Sequence, residues 1–134
     1  MHCAHHPRCP GCPLLPLAVP DQLAAKRRRL SEALSAYPHL PDAPPVRAAV
    51  RQDSYRHRLK LPLHHGRSVS MGLVDRRTGA VLHTPDCPVL AEGLRRAMEP
   101  LLAWLEGKRS VHSVDLRVSE ATGELQLVLA CRAG

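Results

Sequence analysis

The chain has 134 residues and carries 19 Lys and Arg against 12 Asp and Glu, a formal net charge of +7. That length predicts one compact domain and excludes a Rossmann-type or barrel catalytic domain on top of anything else, since those alone need about 150 to 250 residues. Aromatic residues make up 2 % and Phe is absent, so base reading on a row of aromatics is not expected, while binding through phosphate charge stays open.

No run approaches the roughly 20 apolar residues of a membrane span. The N-terminus, MHCAHHPRCPGC, lacks the apolar core of a signal peptide. A cytoplasmic protein with no membrane partner is therefore expected. In that reducing compartment, clustered cysteines read as metal ligands or redox groups rather than disulfides.

In chain order, 9 of the 13 prolines lie in residues 1–45, and Pro, lacking a backbone donor, predicts an irregular loop over the first 20 residues. From Asp21 the near-heptad recurrence of Leu23, Leu30 and Leu34 predicts a helix that starts at Pro20-Asp21 and ends near Tyr37-Pro38. Residues 38–45, with four prolines, read as a stiff extended linker. The predicted division is a cysteine-bearing loop and basic helix over 1–37, the linker over 38–45, and an α+β domain over 46–134.

Within that domain, Tyr55, Leu59, Leu61 and Leu63 alternate with Arg56, Arg58 and Lys60. This predicts a strand with one apolar and one basic side, and Pro62 predicts an edge position or a strand end. Val69–Val74 and Ala80–His83 flank the turn Asp75-Arg76-Arg77-Thr78-Gly79. Leu90, Leu94, Met98, Leu101 and Leu105 form a helical stripe closed by Gly107, which Pro100 is expected to kink or split. Val114, Leu116 and Val118, then Leu125, Leu127 and Leu129, predict a closing hairpin. The fold expected is α+β: an irregular N-terminal loop and helix, then an antiparallel sheet in strand-strand-helix-strand-strand order.

Cys3, Cys9 and Cys12 form C-x5-C-x2-C, and Cys87 follows in the turn Thr84-Pro85-Asp86-Cys87-Pro88. Three thiolates from one loop and a fourth from a remote turn are how a soft-ligand site ties separated parts of a chain together. The Cys-Pro ending leans towards a [4Fe-4S] cluster. Zinc is the competing reading, held by all four thiolates or by three with His5 or His6. The two histidines otherwise read as exposed loop residues or as donors to cluster sulfurs. Cys9-Pro10-Gly11-Cys12 as a thioredoxin-type redox pair lacks the preceding strand that reading needs. Cys131, at the end of an apolar strand, reads as a small buried hydrophobe.

Positive charge is concentrated: residues 26–77 hold 12 of the 19 basic residues and only Glu32, Asp42, Asp53 and Asp75 as acids. The candidate polyanion contacts are Lys26, Arg27, Arg28 and Arg29 on the helix, Arg56, Arg58 and Lys60 on the strand, and Arg76 and Arg77 in the turn. The bland alternative for the helix run is a solvated face. Three basic side chains at period 2 fit a phosphate backbone better than they fit that alternative.

The cysteine triplet, the segment Gln22-Leu23 and Lys26 with Leu30, Tyr55-Arg56-His57-Arg58, and Pro85-Asp86-Cys87-Pro88-Val89-Leu90 together resemble bacterial RNA uracil-C5 methyltransferases, most closely the iron–sulfur 23S rRNA type. The resemblance implies a [4Fe-4S] cluster on Cys3, Cys9, Cys12 and Cys87, structured RNA, expected to be ribosomal, as partner, and S-adenosylmethionine as cofactor of the complete enzyme. It covers only the cluster loop and central domain. No TRAM-like barrel, glycine-rich cofactor loop or catalytic cysteine motif is found in these residues, so the chain is expected to be a truncated or fragmentary part of such an enzyme, inactive alone, with a separate methyltransferase domain as a candidate partner. A zinc-binding nucleic-acid module and a small electron-transfer iron–sulfur protein are the alternatives.

Overall fold

The computed structural model describes residues 2–75 and 77–132, and the chain divides into two compact units, 1–11 with 51–134, and 12–50. The second unit opens with two tight turns, Leu15 N–H donating to Cys12 O and Leu17 N–H to Leu14 O. Helix α1, Val19–Leu34, follows. Pro20 stands in its first turn, where its missing N–H costs nothing, and Asp21 adds a favourable charge beside the helix N-terminus. The helix stops three residues before Tyr37-Pro38, where Ser35 turns its hydroxyl onto Glu32 O at 2.7 Å. Beyond it, residues 41–49 have no regular structure, as their prolines require.

The larger unit holds five strands, β1 (Arg58–His65), β2 (Val69–Val74), β3 (Val81–His83), β4 (Val111–Val118) and β5 (Leu125–Cys131), with helix α2 (Glu92–Leu105) between β3 and β4. They form one antiparallel sheet in the order β3-β2-β1-β4-β5. The α+β class and the helix between antiparallel strand pairs are as expected. The segment after the Asp75–Gly79 turn adds the short edge strand β3.

The α2 stripe is the heart of the core. Leu94, Met98, Leu101, Leu102 and Leu105 are buried with Leu59 and Leu61 of β1, Val69 and Met71 of β2, and Val111, Val114 and Leu116 of β4. Fully burying one such side chain stabilises by about 1.5–3 kcal/mol. Gly107, at φ +78°, lets the chain leave α2 through a left-handed residue. Gly72 is needed for a different reason: a Cβ there would lie 1.5 Å from the Leu82 carbonyl oxygen on β3.

Four expectations change. The basic strand begins at Arg58 rather than Tyr55, and Arg56 pairs separately with Leu90. Pro62 lies in the central strand, because pairing passes there from β4 (Arg58–Pro62) to β2 (Leu63–His65) and the missing donor falls at the changeover. Pro100 does not split α2. Its ring and Arg96, whose carbonyl loses its intrahelical donor, are both exposed, so water can take the free acceptor. Cys131 is also exposed, not buried, because β5 is an outer strand with a neighbour on one side only.

Candidate metal centre and nucleic-acid interface

Cys3 and Cys9 lie in a hydrogen-bonded loop in which His6 N–H donates to Cys3 O at 3.3 Å and Cys9 N–H to His5 O at 2.8 Å. The Gly11 N–H lies 3.5 Å from Cys9 Sγ, a donor geometry that favours the thiolate. The far end of the loop meets the sheet at Gly11, where a Cβ would sit 2.8 Å from Leu73 Cδ1.

Cys87 is held by backbone bonds around it. Ser54 N–H donates to Pro88 O at 2.9 Å, Arg56 N–H to Val89 O at 2.8 Å, and Leu90 N–H to Cys87 O at 3.1 Å. The residue before it, Asp86, meets His5 Nε2 at 2.6 Å across 81 positions of sequence. That hydrogen bond holds the Asp86 carboxyl below its usual range. The Cys87 thiol is pushed up, first by burial and further by the neighbouring Cys3 and Cys9, while Arg56 favours its thiolate. Cys3 and Cys9 thus both come within electrostatic reach of Cys87 inside one unit. Cys12 belongs to the other unit.

The donor chemistry, three soft sulfurs with an N–H directed at one, fits a thiolate-bound metal in kind. Among the described residues no group of three or more His, Cys, Asp or Glu side chains is close enough to hold a metal ion.

The nominated cations divide between places. Lys26, Arg27, Arg28 and Arg29 are all exposed on α1. Arg56, half-buried and outside the span of β1, acts electrostatically on Cys87. Arg58 and Lys60 lie on the sheet face opposite α2, since Leu59 and Leu61 point into the core. Arg77 is exposed in the β2–β3 turn, its N–H bound to Asp75 Oδ1 at 2.9 Å. That bond holds the Asp75 carboxyl below its usual range. Arg76 lies outside the described residues.

Asp115 of β4 changes the charge of this face. Arg58 reaches it with two hydrogen bonds, Nε to Oδ1 at 3.0 Å and Nη2 to Oδ2 at 2.6 Å, and Arg117 Nε approaches Oδ1 at 3.5 Å. These guanidinium hydrogen bonds, Arg58's first, lower the Asp115 pKa to about 2. Arg117, in register with Arg58, is a cation of the open face that the sequence reading passed over. Its signal was present in the alternation of Val114, Leu116 and Val118 with Asp115 and Arg117.

A groove of about 850 Å³ between α2 and the β4–β5 turn is lined by Arg51, His57, Arg95 and Arg96 among others. Glu120 pairs with Arg51 and His57, each at 3.3 Å, and Glu92 with Arg95 and Arg96. Each of these four side chains thus has a carboxylate beside it.

Known proteins that resemble the chain in sequence are RNA methyltransferases, and those with an assigned target act on uracil C5 of 23S rRNA. In particular, 23S rRNA (uracil(1939)-C(5))-methyltransferase RlmD of Pseudomonas fluorescens is 32 % identical over 107 residues, spanning 77 % of this chain and 24 % of that protein. The uncharacterised RNA methyltransferase tlr0942 of Thermosynechococcus vestitus is 30 % identical over 149 residues, spanning 99 % of this chain and 32 % of its own length. In fold, the chain resembles the tRNA (uracil-54, C5)-methyltransferase of Pyrococcus abyssi, solved with S-adenosyl-L-homocysteine. The TM-score is 0.62 at 21 % identity, over 94 % of this chain and 32 % of that one. No family model matches the chain. The homologues are RNA uracil-C5 methyltransferases, and the chain spans about a quarter to a third of the length of the curated relatives it matches. Among the described residues no helix is long and apolar enough to cross a membrane.

Proposed function

We propose that this chain is the cluster-bearing, RNA-gripping part of a cytoplasmic uracil-C5 methyltransferase of the iron–sulfur type, acting on structured RNA, in the first place ribosomal. The observation that carries the reading is the convergence of Cys3 and Cys9 with Cys87, from segments far apart in sequence, in a chain whose homologues are RNA uracil-C5 methyltransferases. Cys3, Cys9, Cys12 and Cys87 would hold the [4Fe-4S] cluster. Bound there, the cluster supplies a covalent tie between the N-terminal loop and the turn before α2, the kind of staple a small core built without Phe or Ile benefits from.

Lys26, Arg27, Arg28, Arg29, Arg56, Arg58, Lys60, Arg76 and Arg77 are the proposed RNA contacts. Their task is grip and orientation through phosphates, and methyl transfer from S-adenosylmethionine is assigned to a methyltransferase domain outside these residues. The chain alone is then inactive.

Anaerobic purification tests the metal assignment. A brown protein with broad visible absorbance and stoichiometric iron and sulfide, both lost in Cys87→Ser, is the expected result. A colourless protein containing zinc overturns the cluster. Reversible redox cycling without RNA affinity would instead identify an electron carrier.

A further inference from the structure

Two of the contacts that the N-terminal loop makes with the sheet-bearing body of its unit differ in kind. At its far end Gly11 packs on Leu73, an apolar contact without direction. Near its start His5 and Asp86 share the 2.6 Å hydrogen bond, whose direction and length define how the loop is set down. The connection on either side of that bond is short. The His5 carbonyl accepts from Cys9 N–H, so the ring's position is tied to one thiol-bearing residue. Asp86 is the covalent neighbour of Cys87, and the following residues, Pro88 and Val89, are pinned by the backbone of Ser54 and Arg56. The His5 side chain is 24 % exposed while that of Asp86 is 67 % exposed, so the histidine is the covered partner and the carboxylate the solvated one.

We propose that the His5–Asp86 hydrogen bond is a clasp that seats the N-terminal loop on the Cys87 turn, making His5 and Asp86 positioning residues for the thiol site. This rests on the reading of Cys3, Cys9 and Cys87 as one site. The bond occupies His5 Nε2, so that in the zinc reading only Nδ1 of His5 is left to ligate. The clasp fixes which face of the loop is turned to Cys87, and its loss removes the directional contact near the start of the loop while the apolar Gly11–Leu73 contact at its far end stays.

The test follows the rate at which iodoacetamide alkylates Cys87 in the full chain, purified in chelator, with the peptide carrying each cysteine identified by mass spectrometry. Cys131, exposed at the end of β5, is the internal reference for reagent and thiol chemistry. In Asp86→Asn and in His5→Gln the Cys87 rate relative to Cys131 is expected to rise about fivefold, the scale of a partly exposed pair. In the exchanged double variant, His5→Asp with Asp86→His, it is expected to fall back towards the original value. A loss of bulk or of local polarity would not recover on exchange, which separates positioning from a merely structural effect. Unchanged Cys87 alkylation in the single variants, or no recovery in the exchanged one, overturns the clasp. The two readings fail independently: a chain that holds no iron but shows the expected alkylation pattern retains the clasp and loses the cluster. An iron-loaded chain whose single variants alkylate at the original rate retains the cluster and loses the clasp.

Discussion

Asp115 shows how one residue can reverse the meaning of a charge pattern. Along β1 alone, Arg58 and Lys60 read as two free cations, yet Arg58 spends its guanidinium on a carboxylate 57 positions away. The pairing also carries a pH signature. The folded pKa of Asp115, about 2, lies below its ordinary 3.8. Its contribution to stability is therefore complete above about pH 4 and is lost as pH falls towards 2. Thermal midpoints measured from pH 5 to pH 2 should fall more steeply for the wild-type chain than for Asp115→Asn, and the two curves should converge at the acid end. Parallel curves would mean that the pair does not form in solution.

Cys87 follows the same logic with the opposite sign. Burial and two neighbouring cysteines disfavour its thiolate, so the proposed metal, on binding there, would displace a proton. Binding of zinc or cobalt ions to the metal-free chain should tighten as pH rises through the thiol range, and this dependence should weaken in Cys87→Ser.

At the scale of elements, the sheet and α2 are held by close approaches that tolerate little change. A Cβ at Gly72 collides with the backbone of β3 rather than with a flexible side chain. Gly72→Ala should therefore destabilise the chain by about 3 kcal/mol, through lost β2–β3 pairing, in urea unfolding followed by far-ultraviolet circular dichroism. Pro100 predicts the opposite effect. It occupies an exposed position within a continuous helix, so Pro100→Ala restores an intrahelical hydrogen bond without disturbing the core. It should raise stability by about 1–2 kcal/mol, the cost of an interior proline less its benefit in the unfolded chain. The α2 stripe was legible because its 3.6-residue period is a local property, and every residue of the predicted stripe is buried. The place of Pro62 was not legible. Whether a proline interrupts a sheet depends on which neighbour pairs at that residue, and here the neighbours change at that point.

For the whole molecule, the proposed RNA grip can be read from the salt dependence of binding. Neutralising Arg56, Arg58 and Lys60 together should weaken RNA binding and reduce the slope of log affinity against log salt. Because Arg58 is committed to Asp115 and Arg56 acts electrostatically on Cys87, the reduction should be about one to two rather than three. Adding Arg117→Gln, which removes a further cation from the open face, should reduce it again. An unchanged slope in nitrocellulose filter binding at several salt concentrations would remove the sheet face from the RNA interface.

The sequence by itself determined the α+β class, the amphipathic α2, the alternating strand β4 and its hairpin with β5, and the four cysteines worth considering. All of these depend on local periodicity, turn chemistry or residue type. Tertiary structure alone decided that β5 is an outer strand leaving Cys131 exposed, that Arg58 is paired, and that His5 meets Asp86. Each depends on which segments become neighbours, across 57 positions for Arg58 and Asp115 and 81 for His5 and Asp86. A strand's own residues specify its two faces but not what lies beside its edges. That is settled only when burying the α2 stripe orders the sheet around it.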